Sequence, residues 1–207
     1  EAVSAIGLVG YREARPDLEG LFKQDTSLKI FAVKIERDRE LRRRSLESLA
    51  LLADPASQPL FESVLNDQED STRELAAEGL ARLKYSSPVL RERFETEKKA
   101  NVKVALAFAL VESGQINYFG DIANALGTGQ NYQAEAYLYE LGKYENRLNE
   151  MHPFLKSSNP KVRAGMIRVL GSIGDPSSKP LIQALTTDPN DDVVREALDA
   201  LRRYNAR

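Results

Sequence analysis

Six leucines set the frame of this chain. Leu49, Leu80, Leu110, Leu141, Leu170 and Leu201 follow one another at intervals of 31, 30, 31, 29 and 31 residues. Their surroundings repeat as well. Val162, Met166, Ile167, Leu170 and Ile173 fall at i, i+4, i+5, i+8 and i+11, which is one face of an α-helix. Leu41, Ser45, Leu46, Leu49 and Leu52 reproduce that spacing, with the small Ser45 in the second place. A period of this length and regularity belongs to a stacked array of small units, each too small to bury its own apolar face.

The residues after each leucine make the unit a helical hairpin. Asp54-Pro55 and Asp175-Pro176 break the first helix. An aspartate can accept hydrogen bonds from the next helix's free N–H groups, and proline suits its first turn, where a missing N–H costs nothing. A second, shorter helix is predicted over Pro55–Asn66, with Leu60, Phe61 and Val64 apolar, and over Pro176–Thr186, with Leu181, Ile182 and Leu185 apolar. Hairpins are thus expected at 39–67, 68–98, 99–130, 131–158 and 159–188, with 189–207 supplying a last first helix. Residues 1–22 read as a partial repeat. Ile6, the equivalent of the leucine, lies 43 residues before Leu49, so 23–38 reads as an irregular insertion. Within it Ser27 to Ile35 either extend the next helix or form a short one of their own; a tolerated loop insertion is the expectation. The expected fold is an all-α, α-solenoid stack of two-helix repeats of about 30 residues, one repeat domain over 1–207. The uncapped apolar start, Ala2-Val3-Ala5-Ile6, reads as an excised part of a longer solenoid, or as an end on which a second copy of the chain pairs.

The stretch Val162-Arg163-Ala164 through Leu170 to Gly174-Asp175-Pro176 resembles the HEAT-like repeats of phycobilisome lyase subunits and of many bacterial scaffold proteins. Leu41 to Val64 and Val193 to Leu201 fit the same pattern, while 99–130 and 131–158 keep the helix spacing and lose the Asp-Pro. The tetratricopeptide and ankyrin signatures are absent. The resemblance implies first helices on a convex side and second helices on a concave side. Two residues beyond the core residue of each second helix, a side chain points away from the core. Those positions are Gly20, Glu62, Glu92, Asn124, Pro153 and Gln183; two residues before it stand Pro16, Gln58, Pro88, Gly120, Asn149 and Lys179. Apart from glycine and proline the row is polar and mildly acidic.

Several chemistries fall away. The chain has no cysteine, which removes disulfides, thiolate metal sites and cysteine nucleophiles. Lack of cysteine does not fix a compartment, the cytoplasm being slightly favoured. The longest apolar run, Val104 to Val111, is far short of the roughly 20 residues of a membrane span. The formal charge is −2 and the pI about 5.7, without the basic surplus that tracking phosphates requires. A HEAT-like di-iron hydroxylase acting on a lysine-derived residue carries several His-Glu pairs as iron ligands; here the one histidine, His152, is followed by proline. No Walker loop, GxGxxG, GxSxG or EF-hand pattern occurs. Gly127-Thr128-Gly129 is a turn between repeats, and Asp191-Asp192 suits a helix start.

Two clusters remain. Arg37, Arg39, Arg42, Arg43 and Arg44 alternate with Glu36, Asp38 and Glu40, the pattern of a solvated helix face. Among Tyr132, Tyr137, Tyr139 and Tyr144, alignment with Met166 and Ile173 makes Tyr137 and Tyr144 core residues and leaves Tyr132 and Tyr139 outside. The sequence thus points to a non-enzymatic scaffold with no metal and no cofactor, binding a protein or peptide partner and neither nucleic acid nor membrane. Gln58, Glu62, Glu92, Asn124, Lys179 and Gln183 are the expected contact residues. The alternative is a bilin-lyase-like or other enzyme-associated subunit that holds a tetrapyrrole or its acceptor protein.

Overall fold

A computed structural model describes residues 2–23, 32–144 and 146–206, with the side chains of 32–38 excepted. Among these residues there are helices and turns and no strand. Two units are distinct, Glu1–Gln115 and Ile116–Arg207. The first holds α1 (Ala2–Val9), α2 (Arg15–Lys23), α3 (Ala32–Leu52), α4 (Gln58–Val64), α5 (Asp70–Arg82), α6 (Pro88–Thr96) and α7 (Ala100–Glu112). The second holds α8 (Phe119–Ala125), α9 (Asn131–Tyr144), α10 (Leu148–Met151), α11 (Pro160–Ile173), α12 (Lys179–Gln183) and α13 (Asp191–Asn205). Within each unit the fold is the expected all-α solenoid stack. First helices pack side by side, α1–α3–α5–α7 in one unit and α9–α11–α13 in the other. Second helices pack beneath them, α2 on α3, α4 on α5, α6 on α7, α8 on α9 and α12 on α13.

The leucine frame is the spine of both cores. Leu49, Leu80, Leu110, Leu141 and Leu170 are fully buried, and Leu201 on the last helix is half-buried. Tyr137 is buried as expected. Tyr144 is not: it closes α9 at 71% exposure, its ring beside the Lys143 ammonium, whereas the aligned Ile173, which closes α11, packs over Gly142. Residues 24–31, the first part of the 23–38 insertion, lie outside the described residues. From Ala32 the backbone already belongs to α3, so the stretch up to Ile35 extends the following helix.

The breaks between helices obey the capping chemistry. The Asp54 carboxylate accepts from the Ala56 N–H at 2.9 Å, and Asp175 accepts from the Ser177 N–H at 2.9 Å. Each aspartate opens a 3₁₀ turn, Pro55–Ser57 and Pro176–Ser178, before the second helix proper. The Ser177 hydroxyl and N–H hold the Asp175 carboxyl below its ordinary value. The end of every first helix but the last is marked by a left-handed residue: Gly10, Ala53, Lys84, Gly114, Asn146 and Gly174 all have positive φ. Only half of them are glycine. Ala53 sits at φ 46°, where its Cβ crowds the next carbonyl at a cost of roughly 1–2 kcal/mol. Glycine at this position removes the crowding, and part of that gain is lost to the freer unfolded chain of glycine. Ala53→Gly is therefore expected to stabilise the protein by about 0.5–1 kcal/mol, raising Tm by roughly 1–4 °C in a thermal melt. An unchanged or lower Tm contradicts this account of the cap.

The arginine of the repeat pattern is a staple that ties its first helix to the end of its own hairpin and to the last carbonyls of the hairpin before. Arg73 donates from Nε and Nη2 to the Glu97 carboxylate at 2.8 and 3.0 Å, and from Nη1 to the Asp67 carbonyl at 2.9 Å. Arg163, at the same place in its repeat, grips Asp188 at 2.9 and 2.7 Å and the Ser157 carbonyl at 2.7 Å. Arg42 donates to the Phe22 carbonyl at 3.0 Å and lies 4.8 Å over the Phe22 ring. Where the repeat has Lys103 instead, the ammonium stands 4.7 Å over the Phe94 ring.

Candidate functional site

The expected contact row depends on which residue of each second helix faces the core, and here the register differs. Phe61 and Ile182 are fully buried, whereas Leu60 is half-buried and Leu181 is 39% exposed. The expected row requires Leu60 and Leu181 to be the core residues of these two repeats, and they are not. The shift has a simple cause. Where a 3₁₀ turn joins the helices, the second-helix core residue stands twelve residues after the first-helix leucine, as in Leu49 to Phe61, Leu110 to Ile122 and Leu170 to Ile182. Where it does not, the interval is ten, as in Leu80 to Leu90 and Leu141 to Met151.

The six candidate residues accordingly divide. Glu92, Asn124 and Gln183 are exposed. Gln58, Glu62 and Lys179 are half-buried. Glu62 accepts a hydrogen bond from the Ser87 hydroxyl at 3.0 Å, and Lys179 donates to the Asn205 side-chain oxygen at 3.0 Å. Glu62 belongs to a chain of links between successive second-helix segments. In the first unit Ser57 donates to Glu19 at 3.2 Å and Arg91 donates to Gln115 at 2.9 Å. In the second unit His152 Nε2 lies 2.9 Å from the Ser178 hydroxyl. His152 thus joins two neighbouring repeats. These links tie repeats together, so a residue that makes one is less free to meet a partner.

The second unit carries hollows on its first helices, for which no motif in the sequence stands as a sign. One, of about 360 Å³, lies among α9, α11 and α13, with Asn131, Pro160, Lys161, Ala164 and Arg195 in its wall. A second, of about 340 Å³, lies between α9 and α11, with Ala136, Tyr139, Val169 and Ser172 in its wall. They meet at Arg168, which lines both. Arg168 donates from Nε to Glu135 on α9 at 2.9 Å and from Nη1 to Glu196 on α13 at 3.1 Å. Burial disfavours its charge, but the two carboxylates outweigh burial and hold it protonated. On α9, Lys143 lies between two rings, 5.3 Å from the centre of Tyr139 and 5.6 Å from that of Tyr144. Tyr132 is 81% exposed.

Among the described residues no group of three or more His, Asp or Glu side chains is placed to hold a metal ion, and no helix is long and apolar enough to cross a membrane. The profile of the family described as HEAT repeats matches residues 28–111 and 122–202. No curated protein matches the chain. Solved structures similar to it include human deoxyhypusine hydroxylase in complex with glycerol, at 19% identity and a TM-score of 0.42, over 99% of this chain and 78% of that one. An engineered protein is similar at 17% identity and a TM-score of 0.40, over 92% of this chain and 97% of that one. A designed armadillo repeat protein matches at 15% identity and a TM-score of 0.31, over 99% and 91% of the two chains.

Proposed function

The chain belongs to the HEAT repeat family, and from that premise we propose that it is a non-enzymatic scaffold that binds a peptide or protein domain on its second-helix faces. A fold of this family is one commonly used for protein–protein interaction. The observation that carries the finer reading is the state of Glu92, Asn124 and Gln183. Each is exposed on or beside a second helix, and its side chain makes no hydrogen bond or ion pair with the described residues. Such groups are left to water or to a partner. Gln58, Glu62 and Lys179 border the same faces and contribute less, since Glu62 and Lys179 are already engaged within the fold. The short second helices support this reading mechanically. They are held by the links between repeats, so a partner meets side chains on a fixed backbone and little ordering entropy is lost on binding.

Site-specific photo-crosslinking tests the proposal. A benzophenone side chain placed at 92 on the first unit, or at 124 or 183 on the second, is expected to trap a discrete protein partner of that unit, and the same group at Arg43, on the exposed part of α3, is expected to trap none. Glu92→Arg is expected to weaken the trapped complex at least tenfold. Equal trapping from Arg43, or no loss with Glu92→Arg, Asn124→Arg and Gln183→Arg combined, overturns the second-helix assignment.

A further inference from the structure

The two hollows on the first helices of the second unit are unused by the second-helix reading. We propose that they form one groove for a short extended segment of a partner protein, which carries a carboxylate and, three or four residues further on, an aromatic or branched apolar side chain.

The charge argument starts at the N-terminal end of α11. Of the cations in the first hollow, Arg168 is held by Glu135 and Glu196, and Arg195 is paired with Asp192 at 2.7 Å. Lys161 is exposed, and its ammonium has no hydrogen-bond or ion-pair partner among the described residues. Each of the other charged groups in this wall is in an ion pair, so the Lys161 ammonium is the charge left without a partner, and it complements a carboxylate. The second hollow has the opposite character. Ala136 leaves an open place on α9, Val169 is buried in the floor, and Tyr139 forms the side. Tyr132 stands one turn before Ala136 on the same stripe of α9. Tyrosine and arginine around a small apolar hollow is the composition that concentrates binding energy at interfaces.

Geometry sets the form of the ligand. Lys161 and Val169 are eight residues apart on α11, which at about 1.5 Å per residue is roughly 12 Å. An extended chain covers about 3.3 Å per residue, so the two side chains lie three or four residues apart. The Arg168 guanidinium, tied to both neighbouring helices, stands between the hollows and breaks any continuous trough into two side-chain seats.

Selection of random displayed peptides on the intact protein, then fluorescence anisotropy with the leading peptide in labelled form, tests this. The expected winners carry Asp or Glu and then Phe, Trp, Leu or Ile at the third or fourth position beyond it. Ala136→Trp fills the second hollow and is expected to weaken the leading peptide at least tenfold. Lys161→Glu is expected to weaken it as much, and to regain affinity when the peptide's acid is replaced by lysine. Both positions are exposed, and an unchanged thermal melt verifies that each variant is folded. Gln183→Arg is expected to leave binding unchanged, which separates this groove from the second-helix face. Failure to enrich any such peptide, full affinity for Ala136→Trp and Lys161→Glu, or loss of affinity with Gln183→Arg alone overturns the proposal; the last result leaves the second-helix reading standing.

Discussion

Arg73→Met is expected to destabilise the protein by about 3 kcal/mol in urea unfolding at pH 7. Arg73 and Glu97 have side chains only 10% and 4% exposed. Removing the guanidinium strands a buried carboxylate and releases the Asp67 and Gln68 carbonyls that Arg73 also serves. The cost falls at the lower end of the usual range for breaking a buried pair because Glu97 keeps other partners. Arg93 lies 3.3 Å away, and the Lys98 and Lys99 N–H groups donate at 2.9 and 3.0 Å. Arg195→Met is the contrast. Its pair with Asp192 is 64% and 68% exposed, so the loss there is expected to stay within about 0.5 kcal/mol. Adding Glu97→Gln to Arg73→Met removes the buried charge but keeps an acceptor for the two N–H groups, and part of the loss is expected to return. Similar losses from Arg73→Met and Arg195→Met contradict the staple.

The same pair fixes a pH window. Burial pushes the Glu97 carboxyl up, but Arg73 and the Lys98 and Lys99 N–H groups more than reverse this and lower it from 4.5 to about 2. A carboxyl whose folded value lies below its unfolded value adds stability above the unfolded value, and that stability is lost as pH falls toward the folded one. The contribution of Glu97 is therefore complete above about pH 4.5 and disappears between about 4.5 and 2. Over that interval the stability gap between wild type and Arg73→Met is expected to close. A gap that stays constant down to pH 2 places the cost of the mutation elsewhere.

Much of the fold was legible because its signals are local. The leucine interval, the Asp-Pro breaks and the Asp191-Asp192 helix start each rest on a few neighbouring residues, and each stands where the spacing put it. The features that escaped depend on lengths and neighbours that a periodicity does not contain. Leu60 and Phe61 are both apolar and adjacent; only the two residues spent in the Pro55–Ser57 turn decide that Phe61 is inside. Tyr144 aligns with Ile173 and both close their helices, but alignment does not say that Ile173 packs over Gly142 of the neighbouring helix while the tyrosine ring turns out beside Lys143. The arginine of the repeat was visible as a pattern, and its partners were not. Glu97 and Asp188 each stand about 25 residues downstream, at the end of the next second-helix segment. The groove beside Arg168 needs three helices to exist, so no single stretch announced it.

The register of α4 carries the other large expected effect. Phe61 is fully buried beneath α5, and Phe61→Ala is expected to cost about 3–5 kcal/mol through lost burial and the cavity left behind. Its ring is also the reason that position 79 is glycine. A Cβ on Gly79 would stand 2.6 Å from two carbons of the Phe61 ring, and a fully buried ring has nowhere to retreat. Gly79→Ala alone is therefore expected to cost about 1–3 kcal/mol, the overpacking strain exceeding the roughly 1 kcal/mol that alanine gains over glycine inside a helix. In the Phe61→Ala background the same methyl enters empty space. There Gly79→Ala is expected to stabilise by about 1 kcal/mol, since only the helix preference remains. The two substitutions thus form a double-mutant cycle in which one changes the sign of the other. Urea unfolding of the four proteins measures it. Additive costs would mean that the Phe61 ring does not occupy the space above Gly79, and Leu60 would become the better candidate for the core of α4.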